Sequence, residues 1–435
     1  MRLLALCLGL LLTINANARV RIDITSANTE PLPIAITAFH TEDSSLKSEV
    51  REIRDVVAGN LKNSALFNVI EQNMYLQTPA SIADGGPVFS EWRVINTELL
   101  LVGNLAKITE DGTEKLQADF RLWDTVEERE MVGWRYKVDA KFARYLGHLI
   151  SDKVYEAVTG EPGYFSTRIV YIGETGRSGK RKRLCVMDQD GGNQQCLTSG
   201  DHLVLTPRFN PTSQKIIYMS YARNVPRLYI LDLPTGEQEL LGDFQGLNSS
   251  PRFSPDGKKV VMTLTKDDAG NPEIYSMDLK SRKLTRLTYH RAIDTSPSFS
   301  PDGKHIVFNS DRGGNAQLYI MDAKTGENVE RLTFGEGRYY APEWSPRGDL
   351  IAFVKSKGGR FSIGVIDKDG EEERMLTDSY MDESPTWSPN GRVIAFSRQM
   401  GNSTRIYSID LTGYNEHQLP TPTDASDPAW SPLLK

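Results

Sequence analysis

From residue 168 onward, apolar positions come in short runs parted by turn-forming words, and the order of words repeats. SPRFSPDGKKVVM fills 250–262, SPSFSPDGKHIVFNS 296–310, APEWSPRGDLIAF 341–353 and SPTWSPNGRVIAF 384–396. A looser TPRFNPTSQKIIY lies at 206–218, and a clipped DPAWSP at 427–432. The marker prolines are Pro207, Pro251, Pro297, Pro342, Pro385 and Pro428, at intervals of 44, 46, 45, 43 and 43 residues. Strand and turn vocabulary at such a period predicts a β-propeller. Ser-Pro-Asp-Gly reads as a type I turn. The run after it, Ile306-Val307-Phe308 or Ile351-Ala352-Phe353, is apolar on consecutive residues. That suits a strand buried on both faces between stacked blades. A third strand follows (LYIMD at 318–322), and a fourth ends in Leu-Thr. The marker proline is expected at the first residue of the innermost strand, where a missing N–H is tolerated.

The clipped last copy supplies only an innermost strand. The strands it lacks are RIVYI at 168–172, RLCVMD at 183–188 and QQCLT at 194–198. Five whole units and one built from both ends of the domain predict six blades, and such closure removes free sheet edges. Leu197, Leu240, Leu287, Leu332, Leu376 and Leu419 give the same count of outer-strand ends.

The pattern before residue 162 differs. Strands are predicted at 32–39, 67–70, 98–104, 115–124 and 131–138, and a helix at 49–63. Phe142, Tyr145, Leu146, Leu149, Ile150, Val154 and Val158 follow helical spacing, which Gly160 and Pro162-Gly163 end. The fold class is therefore a small N-terminal α/β domain, 32–161, followed by an all-β six-bladed propeller, 162–435. Residues 1–18 read as a signal peptide: basic Arg2, an apolar run from Leu3 to Leu12, and Ala16-Asn17-Ala18 as the cleavage site. Cleavage after Ala18 and a soluble chain beyond the inner membrane are expected. An arm at 19–31 begins Arg19-Val20-Arg21-Ile22-Asp23-Ile24, apolar on alternate residues. Two readings stand for it: an edge strand or loose terminus of the α/β domain, or a segment that adds a strand to a partner's sheet.

Composition narrows the function. With 51 basic against 57 acidic side chains and no basic patch, nucleic acid is not an expected partner. Cys185 and Cys196 flank a DGGN turn that sets them opposite each other. In an oxidising compartment they would be a disulfide; two packed thiols is the other reading. No metal or cofactor is expected, because the six histidines are scattered and two thiolates are half a ligand set. GETGRSGK at 173–180 fails as a phosphate loop, having Glu174 at the required glycine and Arg181 at the required Ser or Thr. No G-x-S-x-G occurs. Asp188-Gln189-Asp190 reads as a turn, and Asp232, Asp278, Asp322, Asp367 and Asp410 as repeated turn caps. No catalytic residue is assigned. A secreted hydrolase with a peptidase-type propeller as its gate is the competing class, and it would need a nucleophile and base that 32–161 do not offer.

The signal peptide, the small α/β domain and the SPxWSPDG repeats ending in PAWSP together resemble the TolB family of periplasmic proteins of the Tol-Pal system. The resemblance implies a non-enzymatic, monomeric adaptor in the periplasm of Gram-negative bacteria. Its propeller would bind the peptidoglycan-associated lipoprotein Pal, and through it the outer membrane, at one channel mouth. Its arm, Arg19 to Ile24, would engage TolA of the inner membrane, although Arg19 and Arg21 depart from the family pattern. Such a system serves outer-membrane integrity and constriction during division, and colicins exploit the same surface. Loops leading into the innermost strands ring one mouth: His202-Leu203, Leu247-Asn248, Asp294-Thr295, Tyr339-Tyr340, Asp382-Glu383 and Ser426-Asp427. The first five pairs are the candidate Pal-binding residues. Thr295 stands where the family loop also carries Thr.

Overall fold

A computed structural model describes residues 30–176, 181–242, 244, 248–266 and 270–433. The signal peptide, the arm up to residue 29, and Leu247 lie outside the described residues.

The α/β domain is one five-stranded sheet between helices. Its elements are β1 (Leu32–Ile36), α1 (Lys47–Asn63), β2 (Phe67–Val69), α2 (Pro79–Gly85), α3 (Phe89–Val94), β3 (Leu99–Glu110), β4 (Thr113–Asp124), β5 (Arg129–Asp139) and α4 (Ala143–Thr159). The sheet order is β2-β1-β3-β4-β5, with β1 parallel to β2 and β3, and a β3-β4-β5 meander. Asp111 and Gly112, both at positive φ (52° and 74°), make the two-residue β3–β4 turn. Val50, Ile53, Val57 and Leu61 of α1 and Leu146, Ile150, Val154 and Val158 of α4 face one core. At their closest approach a Cβ on Gly147 would lie 2.9 Å from Val56, so only glycine lets the helices meet. Gly160, at φ 74°, closes α4 and donates to Glu156 O at 2.8 Å. α2 and α3 cover the sheet's other face around Trp92 and Ile82. They are too short to show helical periodicity, which is why the sequence pattern misses them.

Six four-stranded sheets follow among the described residues. The innermost strands are Val204–Phe209, Asn248–Phe253, Asp294–Phe299, Arg338–Trp344, Asp382–Trp387 and Asp424–Trp430. The last pairs with Arg168–Thr175, and Arg181–Asp188 and Gln195–Cys196 complete that blade. The closure across both ends of the domain is as the clipped repeat predicts. Second strands are buried on both faces: Ile306, Val307 and Phe308 have no exposed surface.

The marker proline is not at the first residue of its strand. It sits in mid-strand at a bulge. In blade 3, Thr295 pairs with Asn309 and Ser298 with Val307, leaving Ser296 and Pro297 against one partner residue. The residue before each marker proline is left-handed: Thr206, Ser250, Ser296, Ala341, Ser384 and Asp427 have φ between 46° and 55°. The bulge absorbs the N–H that proline lacks, so a mid-strand position leaves no ladder bond broken. Ser-Pro-Asp-Gly forms the expected turn. Gly303 N donates to Ser300 O at 2.9 Å, Lys304 N to Asp302 Oδ1 at 3.0 Å, and Gly303 has φ 70°.

One hydrophobic cluster runs from the α/β core through Tyr164 and Phe165 into Tyr171, Met187, Ala395 and Trp430 of the propeller. Trp430 Nε1 donates to Thr167 Oγ1 at 2.8 Å, and its ring meets Tyr164 edge-on at 5.9 Å. The chain closure and the domain junction thus share one aromatic residue.

Candidate functional site

Strand alternation gives the channel two mouths. The Ser-Pro-Asp-Gly turns and the turns joining the third and fourth strands ring the rear one, where the α/β domain docks. Glu161 accepts from Arg392 Nε at 2.8 Å and from Arg347 Nη1 at 3.1 Å, and Asn390 donates to Pro162 O. Arg392 foremost, opposed by partial burial and helped by Arg347, holds the Glu161 carboxyl below its usual range. Arg144 bonds Asp188 (3.1 Å) and Asp190, and Gln189 donates to Asn60 Oδ1 at 2.8 Å. Asn60 in turn bonds His148 Nδ1 at 2.9 Å. Asp188-Gln189-Asp190 is indeed a turn, with Gly191 N on Asp188 O; its role in holding the domains together is absent from the sequence pattern. His148, Asp188 and Asp190 could converge on a cation, but the Arg144 guanidinium already fills that place.

The front mouth is ringed by the loops that lead into the innermost strands, at the opposite end of those strands from the α/β domain. The structure separates the predicted site residues into two groups. Asp294, Asp382 and Tyr339 are buried and hold the blades together rather than offering a surface. Asp294 accepts from Arg312 Nη2 at 2.7 Å, and Arg312 lies over Phe308 and Tyr319. Asp382 takes Arg398 through two bonds, 2.7 and 2.9 Å, and Arg398 stacks on Tyr407. Asp382 foremost, then Glu416, raise the Arg398 pKa. Tyr339 donates to Glu373 Oε2 at 2.6 Å. His202, Leu203 and Glu383 are exposed, and Thr295 and Tyr340 are half-buried. Although Glu383 keeps exposed surface, the protein around it strips away enough water, and Asp427 stands near enough, to push its carboxyl up. Asn248 opens its strand. Thr295 and Tyr340 line one cleft of about 330 Å³ between blades 3 and 4, with Ile293 and Arg338.

Three aromatics at this face escaped the sequence reading. Tyr289, Phe334 and Tyr380 are 74, 73 and 69 % exposed. Each follows the Leu-Thr word of its blade. The threonine caps the third strand: Thr288 Oγ1 accepts from Ile274 N and Thr333 Oγ1 from Leu318 N, both at 2.9 Å. The chain then turns outward, and Arg286 and Arg331 lie over the Tyr289 and Phe334 rings at 4.6 and 4.8 Å. An aromatic shortly after the Leu-Thr word, directly for Tyr289 and Phe334 and three residues past Thr377 for Tyr380, was the available signal. The three aromatics follow the outer strands of three successive blades.

Between the mouths, the residue after each marker proline lines the channel: Arg208, Arg252, Ser298, Glu343, Thr386 and Ala429. Cys185 and Cys196, opposite each other in the outer ladder of the closing blade, are joined by a disulfide. Among the described residues no helix is long and apolar enough to cross a membrane.

The class these features define is a two-domain propeller protein, an α/β module fixed to the rear of a six-bladed barrel of PD40 repeats. Residues 155–434 match the TolB beta propeller domain and residues 20–131 the TolB amino-terminal domain. The chain belongs to the TolB family. It is 49 % identical over 231 residues to the Tol-Pal system protein TolB of Pelagibacter ubique, 51 % of each chain. Against the protein of that name from Paramagnetospirillum magneticum it is 48 % identical over 222 residues, 51 % of this chain and 49 % of that one. The chain spans about half the length of the curated relatives it matches. The crystal structure of TolB from Acinetobacter baumannii superposes with a TM-score of 0.83 at 30 % identity, covering 92 % of this chain and 97 % of that one.

Proposed function

We propose that this protein is a non-enzymatic periplasmic adaptor of the Tol-Pal system. The front mouth binds Pal, and the arm from Arg19 to Ile24 engages TolA. Through these contacts it would support outer-membrane integrity and envelope constriction. The observation that carries the reading is the front mouth itself. It faces away from the α/β domain, its buried Asp294 and Asp382 are paired with arginines, and it presents Leu203, Tyr340 and three exposed aromatics. A rim with exposed aromatic and apolar side chains is the arrangement that protein docking uses. Membership of the TolB family, whose relatives are named as Tol-Pal system proteins, supports Pal as the partner.

Calorimetric titration of residues 19–435 with the Pal domain of the same organism tests this. Binding by the wild type that Tyr340→Arg loses, with its fold intact by circular dichroism, is the expected result. Binding indifferent to Tyr340→Arg would move the site, and no binding at all would remove Pal as the partner.

A further inference from the structure

The rear mouth holds a second cavity that the adaptor reading leaves unused. It encloses about 360 Å³, within the range of small-molecule sites. Its rim is apolar: Trp344, Trp387 and Trp430, a phenylalanine from each of the other three blades, and the proline of each blade's turn. Its charged groups come from the channel wall. They are the guanidinium groups of Arg208 and Arg252 and the carboxylate of Glu343, with the hydroxyls of Ser298, Ser345, Thr386 and Ser431 beside them.

The hydrogen bonding there is incomplete. Glu343 accepts from Arg252 Nη2 at 3.0 Å, from Thr386 Oγ1 at 3.1 Å and from Trp387 N at 3.3 Å. Its oxygens are therefore already engaged. Arg208 donates from Nη1 to Pro207 O at 2.6 Å. Asp427, further along the channel, draws on Arg208 but accepts from Ser384. Nε of Arg208 and both Nε and Nη1 of Arg252 are buried and have no hydrogen-bond partner among the described residues. Buried donors on a charged group are costly to leave unmade. Two guanidinium groups with three unpartnered donor nitrogens, under an aromatic rim, fit an anion that also has an apolar part. Planar guanidinium forks suit a carboxylate.

We infer that the rear mouth binds a small organic carboxylate with an apolar body. The carboxylate accepts from Arg208 and Arg252, and the body lies against Trp344, Trp387 and Trp430. This site opens on the face opposite the proposed partner surface.

Three of the six tryptophans line the cavity, so intrinsic fluorescence reports occupancy. Residues 19–435 are titrated with 3-phenylpropionate and, separately, with the neutral 3-phenylpropionamide. The expected result is a saturable change with the carboxylate and binding at least about tenfold weaker with the amide, equivalent to about 1.4 kcal/mol. Arg208→Met should weaken carboxylate binding by at least about tenfold and leave the weak amide response unchanged. No saturable response, equal binding of acid and amide, or a folded Arg208→Met that binds the acid like wild type would each overturn the inference. Should Arg208→Met not fold, the acid–amide comparison on the wild type decides alone.

Discussion

Ser384 and Asp427 hold the same place in neighbouring blades, one residue before the marker proline, and the Ser384 hydroxyl donates to the Asp427 carboxylate at 2.8 Å. Both residues are left-handed, at φ 55° and 49°. The bond ties blade 5 to the blade that closes the ring. A charge-assisted hydrogen bond contributes about 1.5–3 kcal/mol. Ser384→Ala should therefore lower unfolding stability by about 1–2 kcal/mol in urea titration, while Ser426→Ala, whose hydroxyl bonds Glu174 within one blade, should cost less.

The left-handed position before each marker proline has its own signature. Ala341, at φ 46°, has no side-chain hydrogen bond to offset the conformation. A left-handed non-glycine residue costs about 1–2 kcal/mol. Ala341→Gly should leave stability unchanged or raise it by up to about 1 kcal/mol, and Ala341→Val should lower it by about 1–3 kcal/mol. Equal destabilisation by both would mean the bulge is not where the strain lies.

The domain junction should be acid-sensitive. Glu161 is held below its usual pKa by Arg392 and Arg347. For a carboxylate whose folded pKa is depressed, the stabilisation is complete above the unfolded value, near 4.5, and is lost as pH falls through the folded value. Glu161→Gln should destabilise at neutral pH, and the gap from wild type should close as pH falls below about 4.5. Thermal melts across that range read it directly. A gap that does not depend on pH would assign Glu161 a packing role only.

The Cys185–Cys196 bridge closes a short loop in the closing blade, a sequence separation of 11. Chain-entropy arithmetic gives about 3 kcal/mol for such a loop. A melt with and without reductant should show a lower midpoint when reduced, and Cys185→Ser with Cys196→Ser should match the reduced protein.

The repeat was legible because most blades obey the same local rules. A proline, a Ser-Pro-Asp-Gly turn, a doubly buried strand and a Leu-Thr end are each fixed by near-neighbour chemistry, and their period carries the architecture. What the pattern could not place was set by longer-range geometry. Tyr339 and Tyr340 look alike in sequence, but successive strand residues face opposite ways. The first went into the core onto Glu373, and the second into the cleft beside Thr295. Asp294 and Asp382 read as surface acids until Arg312 and Arg398, from the ends of neighbouring strands, cover them. The helices α2 and α3 are only 7 and 6 residues long, too short for periodicity to separate from a loop.

The central claim is that the front mouth is the docking face. Hydrogen exchange read by mass spectrometry on residues 19–435, with and without the Pal domain, tests it most directly. Protection on binding should concentrate in segments 200–204, 291–296, 334–341 and 379–384, with the rear turns around Arg347 and Asn390 unchanged. Protection confined to those rear turns or to the α/β domain, with the front loops exchanging as in the free protein, would contradict it.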